Sequence, residues 1–271
     1  MPNNNFQRIQ EFAAAVESHP TWPRAMCFGD SWFQYPGPKP IDIEKQLPNI
    51  FTKTLFFNEG VAGRDSKMYK IGRGRVTQEI RDFQFNALLL SMGGNDVVGK
   101  ELQEFVKEKE APQDEGGRDW GDLPQEVFDH IRLSSFALGL LHLRDDFVDM
   151  IQRCNGAHPD CAIFVHNYAY IWPSNKPFKL GPFKAGPWVY PYLKAVGLPD
   201  IEDQRVVTNW LIDQFTVMLR EIGAEFELRV IDARNALPDP GSWDNEIHPK
   251  AAGFKLIAQN YWAPVLQNVL R

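Results

Sequence analysis

The sequence predicts an α/β fold in three layers, with helices on both faces of a five-stranded parallel sheet. Short apolar runs alternate five times with segments of helical spacing, and no two of these runs are joined by hairpin turn signals. Neighbouring strands must therefore run parallel through crossovers. The chain has 271 residues, 44% of them hydrophobic and 24% charged, enough apolar material to bury one large core. With no internal repeat and no linker, residues 1–271 read as a single domain carrying insertions near 101–122 and 168–199.

The elements follow in order. Phe6, Ile9, Phe12, Ala13 and Val16 place a helical face on residues 5–18, and Arg24–Phe28 is the first strand. A Pro- and Gly-rich loop, Tyr35–Pro40, precedes a short helical pattern through Leu47. Lys53–Phe57 is the second strand, and residues 66–84 are helical with interruptions at Gly72 and Gly74. Ala87–Met92 is the third strand, almost wholly apolar, as a strand buried on both faces must be. From Glu101 to Asp122 the composition turns to charge around Gly116-Gly117, predicting an exposed, mobile excursion. Pro124 opens a long helix reaching Arg153, and Cys161–Val165 is the fourth strand. Residues 168–199 hold six prolines and eight aromatics, too irregular for a simple connection. A helix over 201–222, a fifth strand over Phe226–Ile231 and a last helix from Lys250 towards Leu270 complete the pattern.

Composition excludes several classes. A net charge of -6 argues against nucleic acid as partner, because phosphate recognition needs a clustered basic face. The basic run Arg64, Lys67, Lys70, Arg73 and Arg75 reads as a solvated helix face. Cys27, Cys154 and Cys161 are too few and too irregular for a disulfide framework or a zinc site. The N-terminus lacks a signal-peptide pattern and no window is apolar enough for a membrane span, so the expected location is cytoplasmic.

In an open parallel sheet, sites form at the carboxyl ends of strands where the winding direction switches. The first three strand ends deliver Ser31, Gly63 and Asn95 there, and the loop after the fifth delivers His248. A serine needs a base to remove its proton and donors to receive the charge on the attacked carbonyl. The blocks Gly29-Asp30-Ser31, Gly60-Val61-Ala62-Gly63, Gly93-Gly94-Asn95-Asp96 and His248-Pro249, each after its strand and spread over nearly the whole chain, resemble the SGNH, or GDSL-type, hydrolase family. The resemblance implies a flavodoxin-like domain that cleaves carboxylic esters through an acyl-enzyme, without cofactor or metal. Ser31 is then the nucleophile and His248 the base. The oxyanion is held by the backbone N–H groups of Ser31 and Gly63 and by the Asn95 amide.

The last block departs from the family pattern. Where the family carries an aspartate three residues before the histidine, this chain has Asn245, and the acid, Asp244, stands one position earlier. Three arrangements follow: Asn245 orients His248, Asp244 reaches in, or a backbone carbonyl serves; register favours Asn245. His166, at the end of the fourth strand, reads as a satisfied core histidine, and Asp30 as a residue bonding backbone within its turn. The aromatic insertion is expected to form one wall or a lid over Ser31. An esterase or lipase acting on a small-molecule or glycan ester is the principal reading. Its competitors are a carbohydrate O-acetylesterase, a thioesterase, and a catalytically silent binding protein in which Asn245 marks the lost activity.

Overall fold

A computed structural model describes residues 4–35, 42–99, 101–180 and 182–271. In chain order the elements are β1 (Asn5–Phe6), α1 (Ile9–Ser18), β2 (Arg24–Gly29), α2 (Ile43–Ile50), β3 (Leu55–Gly60), α3 (Ser66–Phe83), β4 (Ala87–Ser91), α4 (Gly94–Val97) and α5 (Leu102–Phe105). They continue with α6 (Gln125–His130), α7 (Leu133–Ala157), β5 (Ala162–His166), β6 (Phe178–Leu180), β7 (Phe183–Ala185), α8 (Tyr190–Ala195), α9 (Ile201–Phe226), β8 (Arg229–Ile231), α10 (Ala251–Ile257) and α11 (Ala263–Leu266). A π-helical turn, Ala258–Trp262, joins the last two.

The main sheet is parallel throughout, in the order β1-β3-β2-β4-β5-β8. The chain steps one way from β2 to β3, then back past β2 to β4 and onward to β5 and β8. Right-handed crossovers therefore place α2 on one face and α3, α7 and α9 on the other. In agreement, α3 packs on α7 and α7 on α9, while α2 packs on α10 and the π turn. The reversal falls between β2 and β4, directly beneath Gly29-Asp30-Ser31, and so the switch point coincides with the serine. Strands β2, β3 and β4 are buried along almost their whole length, which is why their sequences are continuous apolar runs rather than alternating ones.

Among the described residues the main sheet has six strands rather than the five expected. Asn5 and Phe6, assigned from sequence to the first helix, pair with Phe56 and Phe57 as a two-residue edge strand. Two residues are too short to display a period, and Phe6 is drawn to the core by the ring of Phe12, 6.0 Å away. The long helix after Pro124 breaks at Ile131-Arg132, where Ile131 bridges to Val106 and the Arg132 N–H donates to the Phe105 carbonyl. α9 runs on to Phe226 and ends with Glu227 in a left-handed conformation, which shortens the following strand to Arg229–Ile231.

The charged excursion is pinned at its ends. Leu102, Phe105 and Trp120 are buried, and the Lys107 ammonium donates to the carbonyls of Ala111 and Asp129. The aromatic insertion folds into the antiparallel β6–β7 hairpin followed by α8. The Pro- and Gly-rich loop expected after Tyr35 lies, from residue 36 on, outside the described residues. Among the described residues no helix is long and apolar enough to cross a membrane.

Gly93, which turns the chain from β4 into α4, has φ +91° and lies so close to Phe215 that a Cβ would approach its ring to 2.7 Å. Gly93→Ala is expected to destabilise the protein by about 2 kcal/mol or more, lowering Tm by roughly 5 °C, whereas Gly74→Ala, in open space on α3, should hold or raise it. Thermal unfolding of the two variants side by side checks this.

Candidate active site

Ser31 stands in a turn held by the residue before it. The Asp30 carbonyl accepts from the N–H groups of Phe33 and Gln34, and its Oδ1 accepts from the Trp32 N–H at 2.9 Å. Turns of this kind favour aspartate because its side chain satisfies backbone donors locally. Oδ1 also accepts from the Ser91 hydroxyl at 2.7 Å, and Oδ2 from the Tyr168 hydroxyl at 2.6 Å. Burial pushes the Asp30 carboxyl up, and these donors pull the other way.

His248 arrives on the loop between β8 and α10. That loop doubles back on itself: Trp243 bridges to Pro249, the Asp244 N–H donates to the His248 carbonyl, and the Lys250 N–H to the Ser242 carbonyl. The Trp32 indole N–H donates to the Ile247 carbonyl at 3.1 Å, tying this loop to the serine turn. The outcome is a distance of 2.7 Å between Ser31 Oγ and His248 Nε2.

Behind the imidazole, Asn245 Oδ1 lies 3.0 Å from His248 Nδ1 and also accepts from the backbone N–H groups of Ile247 and His248. A carbonyl oxygen can only accept, so Nδ1 carries the proton and Nε2 presents its lone pair to Ser31. A flipped amide would turn its own N–H groups against two backbone donors, so the tautomer is fixed. Asn245 Nδ2 donates to the Tyr35 hydroxyl at 3.2 Å, and that hydroxyl donates to Asp244 Oδ2 at 2.7 Å. Asp244 thus meets Tyr35 rather than His248. Burial, with Asp244 alongside, pushes the Tyr35 phenol well up and keeps it a donor. His248 is 5% exposed, and burial lowers its pKa to about 3, so the imidazole is neutral over the ordinary pH range.

Asn95 lies on α4, beside Ser31 on the wall of a cavity of about 20 Å³ that Trp32, Val98, Tyr168, Ile171 and Ile247 also line. Its Nδ2 donates to the Arg64 carbonyl at 2.9 Å. Gly63 lies in the exposed turn after β3, with φ +76°, and does not line that cavity. The aromatic insertion does border the site: Trp188 meets the His248 ring edge-on at 5.6 Å and Phe178 the Tyr35 ring at 5.4 Å.

A second serine, histidine and aspartate meet deeper in the fold. Ser91 Oγ donates to Asp30 and lies 2.9 Å from His166 Nε2. Here the serine stands between acid and imidazole, and Ser91 and His166 are both wholly buried. That order leaves no base between acid and nucleophile, and the cluster braces Asp30 from below. Burial holds His166 neutral, its pKa lowered to about 3.

Sequence reasoning did not single out Tyr35, Tyr168 as a partner of Asp30, or Glu246. Tyr35 follows the serine block by four residues without any pattern, and Glu246 belongs to no motif. Only the position of Glu246, between Asn245 and His248, offered a signal.

A serine hydroxyl 2.7 Å from the unprotonated nitrogen of an imidazole, at the switch point of a parallel sheet, has the geometry to attack a carbonyl. The model of the GDSL-like lipase/acylhydrolase family matches residues 27–256, and the chain belongs to that family. Solved structures share the fold. A lipase/acylhydrolase from Enterococcus faecalis is 12% identical with a TM-score of 0.53, over 92% of this chain and 97% of that one. An extracellular lipase from Streptomyces rimosus is 15% identical with a TM-score of 0.50, over 91% and 99%. The acetyl xylan esterase AlAXEase is 14% identical with a TM-score of 0.51, over 89% and 99%. No curated protein matches the chain.

Because folding holds His248 and His166 neutral while the unfolded chain protonates them below about pH 6.5, stability is expected to fall as pH drops from there towards 3. Asn245→Asp sets a carboxylate against Nδ1–H, stabilises the imidazolium and should raise the His248 pKa. Denaturant unfolding between pH 7 and 4 reads the first effect and titration of the ring protons by NMR the second; an unchanged His248 pKa in Asn245→Asp would count against the Nδ1 contact.

Proposed function

We propose that this protein is a serine esterase for short acyl groups, with Ser31 as nucleophile, His248 as general base and then general acid, and Asn245 as the orienting third member. The observation that carries the reading is the 2.7 Å contact between Ser31 Oγ and the unprotonated nitrogen of a neutral, tautomer-fixed imidazole. Ser31 Oγ attacks the ester carbonyl carbon as His248 Nε2 takes its proton. The tetrahedral oxyanion receives hydrogen bonds from the backbone N–H groups of Ser31 and Gly63 and from Asn95. The Asn95 amide has two N–H donors, so its bond to Arg64 leaves one for the oxyanion. Collapse expels the alcohol, which leaves with the proton from His248. Water then repeats the sequence on the acyl-enzyme and releases the acid.

The volume beside Ser31 favours a short acyl group. A cavity of about 20 Å³ with a largely apolar lining has room for little more than one water or a methyl group. A methyl group fits there, and so O-acetyl esters of carbohydrates stand as the second reading, ahead of lipids.

Exposure to a small fluorophosphonate, followed by intact mass and peptide mapping, tests the nucleophile directly. An adduct on Ser31 that disappears in His248→Ala is the expected result. A folded protein that stays unlabelled would overturn the reading and leave a silent binding protein. Against p-nitrophenyl esters, kcat/KM should fall steeply from acetate to octanoate. Asn95→Ala should lower kcat a few hundredfold, corresponding to about 3 kcal/mol in the transition state, while the protein stays folded.

A further inference from the structure

Glu246 carries a buried carboxylate that no step above uses. Its Oε1 accepts from the backbone N–H groups of Ser174 at 3.0 Å and Tyr190 at 2.9 Å, and its Oε2 accepts from Val189 at 3.0 Å and from Trp188. All four donors belong to the aromatic insertion. The residue is wholly buried, and its partners among the described residues are these converging backbone N–H groups, which hold the chain that supplies them. Since Glu246 sits between Asn245 and His248, these four hydrogen bonds join the loop carrying the base to the insertion.

What this clamp sets in place is the Trp188 indole. The ring stands edge-on to His248 at 5.6 Å, and the backbone of Gly186 lies so close to the indole that a Cβ there would approach it to 2.5 Å. Trp188 is half-buried. The acyl cavity is lined by Trp32, Val98, Ile171 and Ile247, not by Trp188. The indole stands instead beside the imidazole that hands its proton to the departing alcohol.

We propose that Trp188, held by Glu246, is the platform of the leaving-alcohol subsite, and that it takes alcohols with a flat apolar face, such as the ring of a sugar. The inference rests on the esterase reading above. An aromatic face next to the proton donor rewards a ring-shaped alcohol and gives nothing to a two-carbon one. A carboxylate is required at 246 because a glutamine would present an amino group to two of the four backbone donors.

The test compares kcat/KM for a peracetylated glucose with that for ethyl acetate, in the wild type, Trp188→Ala and Glu246→Gln. Both variants are expected to lose at least tenfold in the ratio of sugar ester to ethyl ester, carried by KM of the sugar ester. Fluorophosphonate labelling of Ser31 in each variant reports a folded, activated serine. A ratio within twofold of the wild type in labelled Trp188→Ala would overturn the proposal, including the case where both substrates suffer equally. Should Glu246→Gln fail to fold, Trp188→Ala alone decides. A wild type that takes no label would overturn the esterase reading itself, so the two failures are distinct.

Discussion

The site depends on one carboxylate at the sheet's edge. Asp30 accepts from the Trp32 N–H within its own turn, from Ser91 at the end of β4 and from Tyr168 just beyond β5, so a single buried group fastens three strand ends. Leaving such a charge without donors would cost several kcal/mol, and the turn that holds Ser31 is therefore not free to relax. Rigidity passes outward from there. Trp32, fixed by Asp30, bonds the Ile247 carbonyl and positions the histidine loop. Tyr168, fixed by Asp30, lines the cavity beside the serine.

The residue behind the imidazole is a neutral amide, and a carboxylate, Asp244, lies one step behind it. Asn245 collects three donors on one oxygen, and its amino group leans on a tyrosine hydroxyl that is itself committed to Asp244. An aspartate in the same place would raise the imidazole pKa by pairing with its charged form. With an amide, burial acts alone and the imidazole stays unprotonated. Orientation is supplied without attraction, which separates two roles that one carboxylate usually combines.

The parallel sheet was legible because buried strands must be apolar on both faces, a signal carried by every residue of Ala87–Met92. The two-residue strand at Asn5–Phe6 was not, since its pairing with Phe56 and Phe57 is a property of the folded edge rather than of local pattern. Likewise nothing local marks the break at Ile131, which is decided by a bridge to Val106. Ser31, Asn95, Asn245 and His248 could be named as candidates because each occupies a fixed offset in a short motif block. Tyr35 and Asp244 were harder to place: they meet across 209 positions of sequence, and only the doubling back of the histidine loop joins them. Glu246 shows the same limit, for its four partners are backbone groups, and a backbone group has no residue type to recognise.

The outer strands of the sheet are two and three residues long, β1 at one side and β8 at the other. An exposed strand edge is a template on which another chain can add itself, and its strength grows with the number of unpaired N–H and C=O groups it offers. A row this short closes before a foreign strand can register against it. The long apolar strands β2 and β4 that flank the serine turn are thereby kept in the interior of the folded sheet, paired on both sides.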